Sequence, residues 1–214
     1  MRFRTVLFDL DGTLIDQFRA IHRCHCHAMR SIGLPEPTYA QVKAAVGRGV
    51  EQAIASLAGP ENVSRLLPLV LQHWRETGLD DAVLLPGARE VLESLRARGV
   101  QCASLTNKRG PDARAVCAHL GIAPLLDGIF GAQDTPWLKP QREFTDHALR
   151  AVGAETARTA LVGDSIHDAA TARNAGLAFV GVTTGTHSAE ELRAAGALDI
   201  FPDLAAAGAY LLRD

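Results

Sequence analysis

Charged and hydroxyl side chains follow short apolar runs at several places in the sequence, and their types suit phosphoryl transfer. Carboxylates grouped without thiolate or imidazole ligands prefer a hard cation such as Mg²⁺, which also bridges to phosphate. A lysine and a hydroxyl can offset and hydrogen-bond the charge of a phosphate dianion. These side chains therefore predict a Mg²⁺-dependent reaction on a small phosphorylated metabolite. The residues concerned are Asp9, Asp11, Thr106, Lys139 and Asp164.

Each of these side chains has a chemical use. Asp9 ends the first apolar run, and a carboxylate on a rigid strand end can attack phosphorus to form an aspartyl-phosphate. Asp11 would point the same way as Asp9 on a continued strand, so it can act as general acid and then as general base. Asp9 and Asp164 are candidate metal ligands. We expect Lys139 and the Thr106 hydroxyl to bind the phosphate.

Each motif, taken alone, also has a structural explanation. Asp11 begins a segment typical of a turn followed by a helix cap, and Asp164 with Ser165 is equally typical of a cap. An isolated lysine such as Lys139 is more often a solvated surface residue. A site is favoured because these residues all fall at successive strand ends, where parallel sheets bind ligands.

The elements that would position these residues are strands alternating with helices. Short apolar runs indicate the strands, and helical periodicity with glycine or proline boundaries indicates the helices. The alternation predicts an α/β fold with a Rossmann-like, doubly wound parallel sheet covered on both faces. The predicted strands are 4–8, 100–105, 129–130, 159–162, 179–182 and 198–201; the predicted helices are 88–98, 111–121, 144–152, 167–175, 189–194 and a C-terminal segment.

A helical segment interrupts this pattern after the first strand. From residue 16 to about 81 the periodicity is helical, broken by glycine and proline, with no convincing strand, which predicts about four helices. We therefore expect a helical-bundle cap at residues 15–82 and an α/β catalytic core at 1–14 and 83–214. The cap should select the substrate and exclude water when it closes.

The predicted cap carries four basic candidates for substrate binding. Arg48 lies in a flexible turn between two glycines and could pair with an anionic leaving group. An exposed loop arginine without a ligand fits the sequence equally well. Lys43, His22 and His25 are weaker candidates, because core or surface roles suit them at least as well.

Residues 22–27 read His-Arg-Cys-His-Cys-His, a set of ligands that could indicate a zinc site. On a helix these side chains fan around the axis, whereas a tetrahedral site needs them to converge. A helical stripe that includes Phe18, Ile21 and His25 favours an ordinary helix. The four cysteines of the chain lack the density of a disulfide scaffold, so we expect reduced thiols. They are Cys24, Cys26, Cys102 and Cys117.

Composition and charge narrow the classes of function. Hydrophobic residues make up 47% and charged residues 21%, which predicts a soluble globular protein. Lys and Arg number 22 against 24 Asp and Glu, a net charge of −2, and the absence of a basic run disfavours nucleic-acid binding. Asp9 comes before a signal-peptide core can form, and no apolar run approaches a membrane span. We expect a cytoplasmic protein that does not bind membranes.

Together these motifs resemble the haloacid dehalogenase superfamily of phosphohydrolases, specifically its phosphoglycolate phosphatase-like branch with a helical cap inserted after the first strand. The matching motifs occur in family order and span nearly the whole chain. They are Asp9-Leu-Asp11-Gly-Thr-Leu, Leu105-Thr106-Asn107-Lys108, Lys139-Pro140 and Val162-Gly163-Asp164-Ser165-Ile-His-Asp168, extended by Ala172-Arg-Asn-Ala-Gly176.

The resemblance implies an aspartyl-phosphate mechanism with Asp9 as nucleophile and Asp11 as acid and base. It implies Mg²⁺ held by Asp9, the Asp11 backbone carbonyl and Asp164. It also implies that Asp168 is a supporting carboxylate that orients waters or Lys139. Two further motif residues, Asn107 and Ser165, are candidates for supporting the site or binding phosphate.

Other members of the superfamily provide the alternatives. Dehalogenating members lack an acid at the position of Asp11 and need no metal, so carbon–halogen cleavage is disfavoured. A phosphomutase of the β-phosphoglucomutase kind shares all four motifs but usually carries adjacent acids where Ser165 follows Asp164. A non-catalytic regulatory protein is disfavoured because every motif is complete. Gln17 and Arg142 depart from the pattern of this branch, and we expect both residues near the substrate entrance. The sequence is compatible with a monomer or a homodimer.

Overall fold

A six-stranded parallel sheet forms the centre of the molecule. The computed structural model describes residues 2–213. The strands are β1 Thr5–Phe8, β2 Ile15–Asp16, β3 Val83–Leu84, β4 Gln101–Arg109, β5 Gly128–Ala132, β6 Thr159–Gly163, β7 Ala178–Val182 and β8 Asp199–Phe201. Six of them form the main sheet in the order β5-β4-β1-β6-β7-β8, and all neighbours in it are parallel.

The direction in which successive strands are added to the sheet reverses beside β1. From β1 the chain moves outward through β4 and β5, and it then returns to β6 on the other side of β1. Parallel sheets bind ligands at the carboxyl ends of strands beside such a reversal. The carboxyl ends of β1, β4 and β6 are therefore the edge at which a site is expected.

Helices cover both faces of this sheet, which confirms the predicted α/β class. Side chains alternate along β1, so Val6 and Phe8 enter one apolar core and Leu7 enters the other. The helices are α1 Phe18–Ser31, α2 Tyr39–Ala45, α3 Val50–Ala58, α4 Val63–Thr77, α5 Ala88–Ala97, α6 Gly110–His119, α7 Arg142–Val152, α8 Ile166–Ala175, α9 Ala189–Ala194 and α10 Leu204–Leu211. Helices α5, α6 and α10 contribute to the first core, and α7 and α8 to the second.

Helices α1, α3 and α4 share an apolar core of their own. It includes Cys24 and Met29 of α1, Ile54 of α3, and Leu66 and Val70 of α4. Four α-helices are thus present where about four are predicted. The 22–27 segment lies within α1, as predicted, and among residues 2–213 the grouped potential metal ligands do not include it. The division into a separate cap and core stays a prediction.

A two-stranded ribbon joins the helical segment to the rest of the chain. Ile15 pairs with Leu84 and Asp16 with Val83 in antiparallel register. The prediction of no strand from residue 16 onward is therefore wrong at its first residue. A strand of two residues is too short to show the alternation by which strands are recognised in a sequence.

Gln17 lies just after this ribbon, and its position differs from the prediction that it lies near the substrate entrance. Its side chain is fully buried, and Nε2 donates to the Gly78 carbonyl at 2.7 Å. Gln17 therefore joins the start of α1 to the end of α4 instead of lying near a substrate entrance.

Within residues 2–213 no helix is long and apolar enough to cross a membrane. All four cysteines are buried and free.

Candidate active site

Strands β1 and β6 are neighbours, and their carboxyl ends bring two carboxylates together. Asp9 follows β1 directly, and its amide still donates to the Val162 carbonyl of β6 at 3.0 Å. Asp164 follows β6, and Asp168 lies in the first turn of α8. Oxygens of the three carboxylates lie within 4.8 Å of one another, and all three residues are buried.

Lys139 supplies the positive charge at this cluster. Its Nζ donates to Asp168 Oδ1 at 2.7 Å and lies 2.8 Å from Asp9 Oδ1. Burial alone would lower the pKa of Lys139, but the Asp168 and Asp9 carboxylates raise it above its ordinary value. The lysine therefore remains protonated, and it is held by two acids instead of being solvated at the surface.

Three buried carboxylates share the single positive charge of Lys139, and the raised pKa values of two of them reflect their burial and this excess of negative charge. Burial raises the pKa of Asp9 to about 6; Lys139 opposes the rise and Asp168 adds to it. Burial also raises the pKa of Asp164 to about 7, with Asp168 and Asp9 contributing. A divalent cation would stabilise the ionised forms, and three converging carboxylates are the oxygen donors that Mg²⁺ prefers. The residues present therefore fit a hard cation.

A loop after β7 holds Asp164 in place. Thr186 donates from its backbone N to Asp164 Oδ2 at 2.7 Å and from its hydroxyl at 3.0 Å. The Thr13 hydroxyl donates to the other oxygen at 3.0 Å. A Cβ on Gly185 would lie 1.9 Å from Asp164 Oδ2, so glycine is required there. Thr186 and Gly185 were not among the predicted site residues, although their loop follows a predicted strand.

Ser165 and Asp168 form the cap of α8. The Ser165 hydroxyl donates to Asp168 Oδ2 at 2.6 Å, and the Asp168 amide donates back to Ser165 Oγ at 3.3 Å. Asp168 therefore uses one oxygen for the helix cap and the other for Lys139. The structural explanation of Ser165 fits the observed contacts, and Asp168 contacts Lys139 as expected.

Asn107 links three segments. Its Oδ1 accepts from the Lys139 amide at 2.8 Å, and its Nδ2 donates to the Lys139 carbonyl at 3.0 Å. Nδ2 also donates to the Gly47 carbonyl at 2.9 Å, on the loop between α2 and α3. The side chain thus fixes the backbone of the lysine and attaches the helical segment to β4.

Asp11 lies beside Asp9 for a reason other than the predicted one. Strand β1 ends at Phe8, so strand alternation does not orient Asp11. Instead, Lys108 Nζ contacts both carboxylate oxygens of Asp11, at 3.1 and 3.2 Å. The Thr106 hydroxyl accepts from the Lys108 amide at 3.2 Å. Lys108 belongs to the motif Leu105-Thr106-Asn107-Lys108 but was not among the predicted site residues, because the motif alone does not indicate its ion pair with Asp11.

A cavity of about 100 Å³ lies between this edge and the helical segment. Asp9, Asp11, Thr106 and Asn107 line its base, together with Lys108. The opposite side is formed by α1, α3 and α4. A substrate in this space would contact the acids on one side and the helices on the other.

Most of the basic side chains predicted to select the substrate do not line this cavity. Arg48 lines a second cavity beside α3. Lys43 Nζ lies 5.0 Å from the centroid of the Phe18 ring, and His22 hydrogen-bonds the Pro37 carbonyl at 3.0 Å. Arg142 is outside both linings, on the surface at the start of α7. His25 does line the main cavity, as a buried side chain.

Comparisons with known proteins find a family model, curated relatives and a solved structure that match this chain. The model of the haloacid dehalogenase-like hydrolases matches residues 6–182. A protein from Dickeya dadantii named "Probable phosphatase IndB" is 34% identical over 97% of this chain and 94% of its own length. A phosphoglycolate phosphatase from Rhodobacter capsulatus is 34% identical over 84% of both chains. The crystal structure of a predicted phosphoglycolate phosphatase from Haemophilus somnus superposes with a TM-score of 0.89 at 24% identity, covering 96% of both chains.

Proposed function

Because the chain belongs to the haloacid dehalogenase-like hydrolase family, we propose that it is a Mg²⁺-dependent phosphatase that hydrolyses a small phosphate monoester through an aspartyl-phosphate at Asp9. The observation that carries the proposal is that Asp9, which lines the base of the cavity, has its Oδ1 2.8 Å from Lys139 Nζ. A nucleophilic carboxylate paired with a fixed cation can approach a phosphate that would otherwise repel it.

The first step forms a bond between an Asp9 carboxylate oxygen and phosphorus and breaks the bond from phosphorus to the leaving oxygen. Asp11 lines the same cavity, so it can give a proton to that leaving oxygen. In the second step Asp11 takes a proton from water as the water attacks phosphorus, and the Asp9 carboxylate is released. Lys139 offsets the negative charge in both steps.

Asp9, Asp164 and the backbone carbonyl of Asp11 are the proposed Mg²⁺ ligands. The ion would supply electrostatic stabilisation of the phosphate oxygens. Asp168 supports the site by holding Lys139, with Nζ to Oδ1 at 2.7 Å. The hydrogen bonds from Thr186 and Thr13 fix the orientation of the Asp164 carboxylate.

The helical segment completes the site. Asn107 joins the Gly47 loop to the Lys139 backbone, so movement of that loop is coupled to the position of the lysine. We propose that closure of the segment over the base excludes bulk water from the aspartyl-phosphate until the leaving group departs. We further propose a cytoplasmic reaction on a small phosphorylated metabolite, by a monomer or a homodimer.

Replacement of the nucleophile tests the proposal. In the Asp9→Asn variant the weakly nucleophilic amide should lower phosphate release from p-nitrophenyl phosphate by at least about 10³-fold. The matched control is Asp146→Asn on the outer face of α7, where the carboxylate bonds Arg142 at 3.3 Å. The control should keep full activity, and near-normal turnover by Asp9→Asn would overturn the mechanism.

A further inference from the structure

The side of the cavity opposite the acids, termed the roof, is formed by apolar and uncharged side chains. Each contributing helix turns one face toward the cavity, because its lining residues are spaced three or four positions apart along the helix. Helix α1 supplies Ile21, Cys24 and His25, and α4 supplies Val70, Leu71 and Trp74. The leaving group of a phosphate ester bound at Asp9 would extend into this roof.

His25 adds no positive charge to the roof near neutral pH. The side chain is buried with only 3% of its surface exposed. Burial, with a smaller contribution from His22, lowers the pKa of His25 to about 4. The ring is therefore neutral and contributes a flat, uncharged surface to the cavity.

The two cations that line the cavity are already paired. Lys108 Nζ lies 3.1 Å from Asp11 Oδ2. Arg109 lies 3.7 Å from Asp112 and donates to the Gln133 side chain at 3.1 Å. An anionic group on the leaving alcohol would have to displace one of these partners or lie against the apolar roof, and either is unfavourable.

Trp74 provides the largest apolar surface close to the acids. Lys108 Nζ lies 4.4 Å from the centroid of the indole, while the same amine contacts both oxygens of Asp11. The ring is thereby placed next to the carboxylate that would protonate the leaving oxygen. The cavity volume of about 100 Å³ is comparable to the ~150 Å³ cavity that takes up benzene in an engineered protein.

We infer that the substrate is a phosphate monoester whose alcohol is uncharged and carries an apolar or aromatic body that packs between Trp74 and the face of α1. The inference rests on the proposed function and specifies the substrate class for that site. It separates this chain from an enzyme acting on phosphoglycolate, whose leaving group carries a carboxylate.

Two matched pairs of substrates test the inference, with kcat/KM measured by phosphate release. Ethyl phosphate and 2-phosphoglycolate differ by a carboxylate, and so do benzyl phosphate and 4-carboxybenzyl phosphate. Benzyl phosphate should exceed ethyl phosphate by about ten-fold or more, and the carboxylate should lower kcat/KM by about ten-fold or more in both pairs. Equal or higher kcat/KM for either carboxylated member would overturn the inference.

Variants of the roof test whether Trp74 is responsible for the preference for benzyl phosphate over ethyl phosphate. In Trp74→Leu the advantage of benzyl over ethyl phosphate should fall by about five-fold or more, whereas Trp74→Phe should keep most of it. The matched control is Trp137→Leu, a tryptophan that packs in the second core of the sheet and does not line the cavity. An unchanged ratio in folded Trp74→Leu, or an equal loss in the control, would contradict the assignment.

A gain of charge provides a test that does not depend on Trp74. Leu71→Arg places a cation in the roof and should raise kcat/KM for 4-carboxybenzyl phosphate relative to benzyl phosphate by about ten-fold. An unchanged ratio would contradict the inference. If none of the esters is hydrolysed in an Asp9-dependent manner, the proposed function itself fails; if they are hydrolysed with a preference for the carboxylated members, only the inference fails.

Discussion

At the scale of single residues, the strand order of the sheet explains why three of the predicted acids lie together. Asp9, Asp164 and Asp168 converge because they follow or begin elements that meet at one edge, and sequence position alone indicated that meeting. Lys139 lies in the segment between β5 and α7, and its contacts with Asp9 and Asp168 bring it to the same edge. Lys108 and Thr186 were missed because their roles depend on particular contacts, an ion pair with Asp11 and hydrogen bonds to Asp164, which no spacing rule reveals.

The buried His25 gives the folded state a pH dependence. Its folded pKa of about 4 lies below the ordinary histidine pKa of 6.5, so the unfolded chain binds a proton first as pH falls. His25 therefore contributes stability that is present above pH 6.5 and is lost as pH falls toward 4. From pH 7.5 to pH 5 the expected loss from this group is about 2 kcal/mol.

Urea unfolding of the wild type and His25→Gln at both pH values measures this contribution. The wild type should lose about 2 kcal/mol more than the variant between pH 7.5 and 5. Other acids titrate in both proteins, so their effects cancel in the difference. The matched control is His119→Gln, on the last turn of α6, which should behave like the wild type. Identical losses in the wild type and His25→Gln would show that the ring is protonated in the folded state.

At the scale of elements, all six strands of the main sheet were predictable, whereas the two-residue strands β2 and β3 and the polar end of β4 were not. The predicted strands at 4–8 and 159–162 correspond to β1 Thr5–Phe8 and β6 Thr159–Gly163, because continuous apolar runs indicate strands buried on both faces. Strand β4 continues to Arg109, beyond the predicted end at 105, because Arg109 pairs with Ala132 after a register shift. Polar residues conceal that extension in the sequence.

The Asn107 side chain connects strand β4 to the Gly47 loop and to the segment that carries Lys139. Asn107→Ala removes its three side-chain hydrogen bonds, so the Lys139 backbone and the Gly47 loop lose a shared support. We expect kcat on p-nitrophenyl phosphate to fall by about 10- to 100-fold with a smaller change in Tm.

Asn107→Asp separates a positioning role from a merely structural one. It keeps the acceptor for the Lys139 amide and loses both donated bonds. Its kcat should lie between those of the wild type and Asn107→Ala, with the KM for p-nitrophenyl phosphate changing less than kcat. A loss of Tm that accounts for the whole loss of activity in both variants would contradict the positioning role.

At the scale of the whole molecule, the site exists because two differently built parts face each other. The sheet edge supplies acids and a lysine, and helices α1, α3 and α4 supply an uncharged roof. Helical periodicity indicated the inserted segment but not which face of each helix meets the cavity. That face is set by how the helices rest on the sheet, and it leaves Arg48, Lys43 and His22 out of the lining of the main cavity.

The central claim is that Asp9 is phosphorylated during turnover, and chemical trapping tests it most directly. Excess protein is mixed with Mg²⁺ and ³²P-labelled p-nitrophenyl phosphate, quenched in acid within one turnover, and divided into two parts. The label is counted in one part before and after hydroxylamine, and the other part is reduced with borohydride, which converts an acyl phosphate to an alcohol and releases its phosphate. We predict a label that hydroxylamine releases, and homoserine at position 9 by mass spectrometry. The label should be absent from Asp9→Asn and strongly reduced when EDTA replaces Mg²⁺. Phosphate release without a trapped label, or a label at a residue other than Asp9, would contradict the account.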